Sequence, residues 1–157
     1  MEKLKKTTDK VIISENQIKK NIDWLFDDLW PQMQGREVAR SSCYNNVKTI
    51  TEKFNKFQID YDMLLSALTA LDGLGLVIST GLMFAVYPNS AVPFDKYTMG
   101  FIILKKIIWS PEISNGNYSS TCKRVLKFIN NHKTINSIHD LVLAANSLDP
   151  VLACAPK

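Results

Sequence analysis

The feature that most restricts the fold is a run of sixteen residues without a charged side chain, GLGLVISTGLMFAVYP, at positions 73–88. A helix that crosses a bilayer needs about 20 apolar residues, so this run is short for a membrane span. A helix that is apolar on every side and stays in water must be buried in a protein core. We therefore predict a buried helix from about Leu76 to Val86, with a membrane span as the alternative.

Segments on both sides of this run have the residue spacing of amphipathic helices. Apolar residues recur three and four positions apart, and helix-capping residues precede several of these patterns. Ser14 opens a capping box, Ser-Glu-Asn-Gln, and Pro31 marks the end of the helix that follows. The predicted helices cover about residues 18–29, 38–54, 60–71, 76–86, 95–108, 119–129 and 137–145.

No segment alternates apolar and polar residues as a strand does, and no long repeat is present. Hydrophobic residues make up 46% of the chain, which is enough for one core. Residues 110–116 are rich in turn-forming types and are predicted to be a loop. The predicted fold class is all-α, with one compact multi-helix domain over residues 1–157.

Composition points to an intracellular protein without a metal centre. Cys43, Cys122 and Cys154 are odd in number and far apart, which favours reduced thiols and no zinc or iron–sulfur site. His132 and His139 flank a predicted helix junction, so we expect neither to bind a metal. The basic first residues precede no signal-peptide core, and a net charge of +4 only mildly favours anionic partners. We expect a cytoplasmic protein without a cofactor.

The turn at residues 71–75, Leu-Asp-Gly-Leu-Gly, lies between two of the predicted helices. Two glycines allow a tight reversal, and Leu74 between them can tuck inward and hold the helices together. At the start of the second helix, backbone N–H groups have no intrahelical acceptor and can face an anion. Gly73, Leu74 and Gly75 are therefore predicted to hold a phosphate group.

This turn and the segment after it resemble the helix-hairpin-helix DNA glycosylase superfamily. In that family a Leu-x-Gly-hydrophobic-Gly hairpin is followed, after one buried helix, by Val-Pro-hydrophobic-Asp. Residues 92–95 read Val-Pro-Phe-Asp, and Asp95 lies twenty residues after Gly75, as in the family. The resemblance covers about residues 60–108 and implies a central helix-hairpin-helix that binds the DNA backbone.

The resemblance also implies a catalytic role for Asp95. The family's carboxylate assists the attack of water or stabilises the positive sugar as the base leaves. The same residue is well placed as an N-cap of the helix that follows, and the two roles are compatible. Members that also cut the strand have a lysine where this chain has Val77, so a lyase step is not expected. The apolar residues 76–78 and the charge of Asp72 are unfavourable for phosphate binding.

Basic side chains can add phosphate contacts beside the hairpin. The alternative is that they form ordinary solvated helix faces. Four aromatic residues, at positions 24, 30, 44 and 97, can likewise stack on a displaced base or pack in the core. The basic candidates are Lys105, Lys106, Lys123, Arg124 and Lys127.

These features favour a DNA-binding protein with a glycosylase-like scaffold and a role in DNA repair. The residues do not establish a catalytic step. One alternative is a monofunctional DNA N-glycosylase that uses Asp95. The other is a non-enzymatic helical module that binds a protein partner, in which the glycine turn only connects two helices.

Overall fold

The computed structural model of the chain describes residues 12–58, 60–105, 107 and 117–147. Within these ranges the regular structure is helical and no strand is present, which confirms the all-α class. The eight α-helices are α1 (Glu15–Trp24), α2 (Arg36–Asn45), α3 (Val47–Lys56), α4 (Tyr61–Thr69), α5 (Leu76–Val86), α6 (Lys96–Leu104), α7 (Tyr118–Asn130) and α8 (Ile138–Ser147). The predicted loop at 110–116 and Cys154 lie outside the described residues.

Helix α1 begins where the capping pattern predicts. Ser14 is the N-cap, and its Oγ accepts the backbone N–H of Gln17 at 3.1 Å. The Gln17 side chain donates to Asn21 Oδ1 at 3.3 Å. Among the described residues no hydrogen bond joins Gln17 to the Ser14 N–H, so the second half of the capping box is not formed. Ile18 and Ile22 are fully buried on one face. A π-helical turn over Leu25–Leu29 extends the helix and ends just before the expected proline.

The predicted single helix over residues 38–54 is wrong, because the chain forms two helices, α2 and α3, which meet at Asn46. Asn46 has φ −108° and ψ 10°, and its side chain donates to the backbone carbonyl of Ser42 at 2.8 Å. Asparagine competes with helical hydrogen bonds in this way. Val38, part of the predicted apolar pattern, is exposed.

Helix α5 is the buried helix that the uncharged run predicts. Every residue from Ile78 to Phe84 is buried, and α1 and α4 pack against the helix. Gly81 permits the close approach of Trp30, because a Cβ at Gly81 would lie 2.5 Å from the Trp30 ring. In the described ranges, no helix combines the length and the apolar character that a membrane span requires.

Residues 91–95 form a buried segment without regular secondary structure between α5 and α6, which we call the strap. Asp95, its last residue, has an extended backbone with φ −70° and ψ 161°. The Tyr118 hydroxyl accepts the N–H of Val92 at 3.0 Å and donates to the Val92 carbonyl at 2.8 Å. The N–H of Phe94 donates to Thr80 Oγ1 at 2.9 Å. These hydrogen bonds join the strap to α7 and α5, and the strap leads directly into α6.

Helices α6, α7 and α8 complete the packing. Helix α8 packs on α6 and α7, and α7 packs on α4. The N–H of Ser119 donates to Asp62 Oδ1 at 2.9 Å, which joins the start of α7 to α4. Ser137 Oγ accepts the N–H of Asp140 at 3.0 Å at the predicted start of α8. Buried residues from all eight helices belong to one hydrophobic cluster.

Candidate functional site

The predicted glycine turn is present between α4 and α5. The N–H of Leu74 donates to the Leu71 carbonyl at 3.2 Å, and Gly73 has φ +82°. Residues other than glycine rarely adopt this left-handed conformation. Leu74 is buried with 2% of its surface exposed, so its predicted inward position is confirmed.

One side of the turn is covered by the junction of α2 and α3. A Cβ at Gly73 would lie 2.6 Å from Ser42 Oγ, so the turn and α2 are in close contact. The Asn46 side chain donates to the Asp72 carbonyl at 3.2 Å. The close contact with α2 therefore explains why position 73 is a glycine, without reference to any ligand.

The other side of the turn faces solvent. Asp72, Gly73 and Gly75 are exposed, and Gly75 is the N-cap of α5 without a capping side chain. Among the described residues, none accepts a hydrogen bond from the backbone N–H groups of Gly75, Leu76 or Val77. These groups are free to hydrogen-bond water or an anion.

Asp95 lies at the start of α6, where it acts as the predicted N-cap. Its Oδ1 accepts the backbone N–H groups of Tyr97 at 3.0 Å and Thr98 at 2.9 Å. Its Oδ2 accepts the Thr98 hydroxyl at 2.8 Å. The residue is buried, with 7% of its surface exposed. Both carboxylate oxygens are thus occupied by the helix that Asp95 caps.

Burial raises the pKa of Asp95 above its usual value, and the hydrogen bonds from Thr98 and Tyr97 oppose that rise. The indole N–H of Trp30 lies near the same carboxylate but does not meet hydrogen-bond geometry. A group that takes part in hydrolysis must reach the substrate directly or through one water. The catalytic role of Asp95 stays a prediction, and its burial argues against that role.

Three basic residues line one open groove of about 410 Å³ at the ends of α6 and α7. Lys105 follows α6, and Arg124 and Lys127 are three residues apart on α7, where that spacing places side chains on one face. We call this site the basic groove. Its described lining residues are Lys105, Ile107, Arg124, Lys127, Phe128, Asn131 and His132.

The cations of the basic groove have no acidic partner in the part of the chain that the structure describes. None of the described lining residues is acidic. The salt bridges among described residues involve Arg36 and Arg40, which lie elsewhere, on α2. The amino group of Lys105 lies 5.7 Å from the centre of the Phe101 ring, a cation–π contact. Unpaired cations around an opening form a positive potential that attracts anions.

Only some of the basic residues that were predicted to contact phosphate line the basic groove. Lys105 and Arg124 come together in the basic groove with Lys127, whereas Lys123 is exposed on α7 outside it. Lys106 lies outside the described residues. None of the described residues that line the groove belongs to the glycine turn. We therefore treat the turn and the groove as two candidate sites.

Phe128 and His132 line the groove but were not predicted from the sequence as site residues. Both were detectable, because Arg124, Phe128 and His132 are spaced by four along and just beyond α7. Of the aromatic residues that were considered, Trp30 is buried, and the residues at positions 24, 44 and 97 are partly buried. Among the described residues, no group of histidine, cysteine and acidic side chains could hold a metal ion.

No protein-family model, curated protein or solved structure matches this chain significantly. The resemblance to the helix-hairpin-helix glycosylase superfamily therefore depends on the residues of the turn and of the strap alone. Over its described residues the structure is all-α and has two candidate sites, an exposed glycine turn and a basic groove.

Proposed function

We propose that this chain is a DNA-binding module without a catalytic step, and that its basic groove holds the DNA backbone. The observation that supports this function is the clustering of Lys105, Arg124 and Lys127 around one opening. Phosphate groups are the ligand that unpaired basic side chains attract, whatever the base sequence. Like charges so close together repel one another, and a bound anion removes that repulsion.

The glycine turn is the second part of the proposal, as a helix-hairpin-helix that contacts a phosphate through backbone amides. Support comes from the exposed N-terminus of α5, where the N–H groups of Gly75 and Leu76 have no acceptor among the described residues. The exposed side chain of Asp72 opposes an approaching phosphate. We therefore expect the turn to contribute less to affinity than the groove does.

The proposal contains no glycosylase step. Stabilising a positive sugar requires a carboxylate that contacts it, and both oxygens of Asp95 accept hydrogen bonds from α6. Loss of the Asp95 charge should therefore change stability and leave DNA affinity unchanged.

The groove is tested by measuring duplex DNA affinity by fluorescence anisotropy over a range of salt concentrations. Each lost phosphate contact should make the log–log salt slope shallower by about 0.9, so Arg124→Gln with Lys127→Gln should change it by about 2. Lys123→Gln is the matched control, because Lys123 is an exposed cation of the same helix outside the groove. Salt-independent binding, no binding to either duplex or single-stranded DNA, or an equal effect of the control would refute the proposal.

The turn is tested by removing one backbone N–H. Leu76 is the first residue of α5, a position that tolerates proline, and Gly75 before it is extended at ψ −174°. Leu76→Pro removes the amide and the side chain, whereas Leu76→Ala removes most of the side chain alone. Weaker DNA binding by Leu76→Pro than by Leu76→Ala is expected, and equal binding would exclude the turn from the interface.

A further inference from the structure

The basic groove contains an aromatic pair that a contact with phosphate groups alone would not use. The rings of Phe128 and His132 are 5.2 Å apart between centres, with an interplanar angle of 39°. The ring of Phe101 also contacts Phe128, edge to face, with 6.5 Å between the ring centres and an interplanar angle of 82°. Phe128 is half-buried, so part of its ring remains in the groove.

The His132 ring is held in place by the backbone that follows α7. Its Nδ1 accepts the N–H groups of Thr134 at 3.2 Å and Ile135 at 3.1 Å. In the neutral imidazole the proton is therefore on Nε2, which leaves one N–H donor on a ring that lines the groove. A fixed ring loses little conformational entropy when a ligand binds to it.

We infer that the basic groove accepts one nucleotide of a single-stranded nucleic acid, with an unpaired base against the Phe128–His132 pair and its phosphate among Lys105, Arg124 and Lys127. Aromatic side chains interleaved with basic ones are the combination that binds single strands, because every base has a face that can stack. In a duplex the bases are already stacked and the ring pair would stay empty. A volume of about 410 Å³ is in the range of sites that hold one small ligand.

This inference rests on the proposed function, since it requires the same cations to contact phosphates. The experiment compares three labelled probes of equal length by fluorescence anisotropy: a thymidine single strand, a duplex, and a strand of abasic deoxyribose phosphates. The wild-type protein should bind the thymidine strand about 5- to 150-fold more tightly than the abasic strand, the range that one stacked base provides. Phe128→Leu should remove that preference, and Phe128→Tyr should keep it.

A matched control variant is Phe57→Leu. Phe57 is also half-buried and has a lysine over its ring, with Lys56 Nζ 5.2 Å from the ring centre, but it is not a described lining residue of the groove. Phe57→Leu should leave the affinities for all three probes unchanged.

The outcomes separate the two proposals. Salt-dependent binding of all three probes with no preference for bases would overturn the stacking inference and leave the proposed function in place. Absence of binding to every probe would overturn both. An equal loss by Phe128→Leu on all probes would show that the ring only supports the fold of the groove, which also overturns the stacking inference.

Discussion

Replacing Gly73 by alanine should destabilise the protein, whereas the same change at Gly75 should have little effect. Gly73 has φ +82°, a conformation that costs an L-amino acid roughly 1–2 kcal/mol. Its Cβ would also lie 2.6 Å from Ser42 Oγ and 2.8 Å from Ser42 Cβ. Gly75 has φ −83°, and nothing lies within 4 Å of a Cβ at that position.

The expected magnitudes follow from these two environments. For Gly73→Ala, the backbone strain and a displacement of Ser42 that costs about 1 kcal/mol together lower the free energy of unfolding by about 2–3 kcal/mol. In a domain of this size that corresponds to a decrease in Tm of about 4–12 °C. For Gly75→Ala, the reduced entropy of the unfolded chain offsets a poorer N-cap, so a change within about 0.5 kcal/mol is expected.

Urea unfolding followed by circular dichroism measures both values. Ser42→Gly isolates the part of the destabilisation that comes from the clash between a Cβ at position 73 and the Ser42 side chain, because it removes that side chain. In a double-mutant cycle with Gly73→Ala we expect a favourable coupling of about 1 kcal/mol. Equal destabilisation by the two glycine variants, or an unchanged unfolding midpoint for Gly73→Ala, would contradict the geometry of the turn.

Three further predictions concern buried polar groups. Burial raises the pKa of the Asp95 carboxyl group, so this group binds a proton more tightly in the folded protein than in the unfolded chain. The wild type should therefore gain stability relative to Asp95→Asn as the pH falls from about 6 to 3 in urea titrations, and a relative loss would refute the direction of the shift. Tyr118→Phe leaves the N–H and carbonyl of Val92 buried without their partner, so unfolding should become easier by about 1–3 kcal/mol with no change in DNA affinity. Burial raises the pKa of Cys43 to about 12, so at about pH 8 peptide mass spectrometry should find this thiol alkylated only as fast as the protein unfolds.

The helix starts were predictable because their causes are local. Ser14, Asp60 and Asp95 each accept a backbone N–H from a residue three positions along the chain, an arrangement that depends on a few residues only. The burial of α5 was predictable for a related reason, since an uncharged helix of this length has no stable place outside a core.

The helix break and the basic groove were not predicted, because both depend on interactions that the spacing of apolar residues does not reveal. Asn46 interrupts a helical pattern through its own side chain, although the apolar spacing continues on both sides of it. The basic groove joins Lys105 to Arg124 and Lys127 across nineteen and twenty-two positions of the chain, and no periodicity rule links residues so far apart. The half-buried position of Phe128 likewise depends on Phe101, which α6 supplies.

Packing and helix capping account for the residues that carry the family resemblance, but they do not account for the cations of the basic groove. Gly73 is accounted for by its backbone angle and its contact with Ser42, and Asp95 by the helix that it caps. Selection for folding alone would keep both residues, so their spacing is weak support for a glycosylase ancestry. By contrast, Arg124 and Lys127 form no ion pair among the described residues and are neighbours of like charge on α7, an arrangement that slightly destabilises a helix. Among the described residues no ion pair accounts for this cluster, and like-charge repulsion disfavours it in the free protein. A bound anion would remove that repulsion, and for that reason we place the function in the groove before the turn.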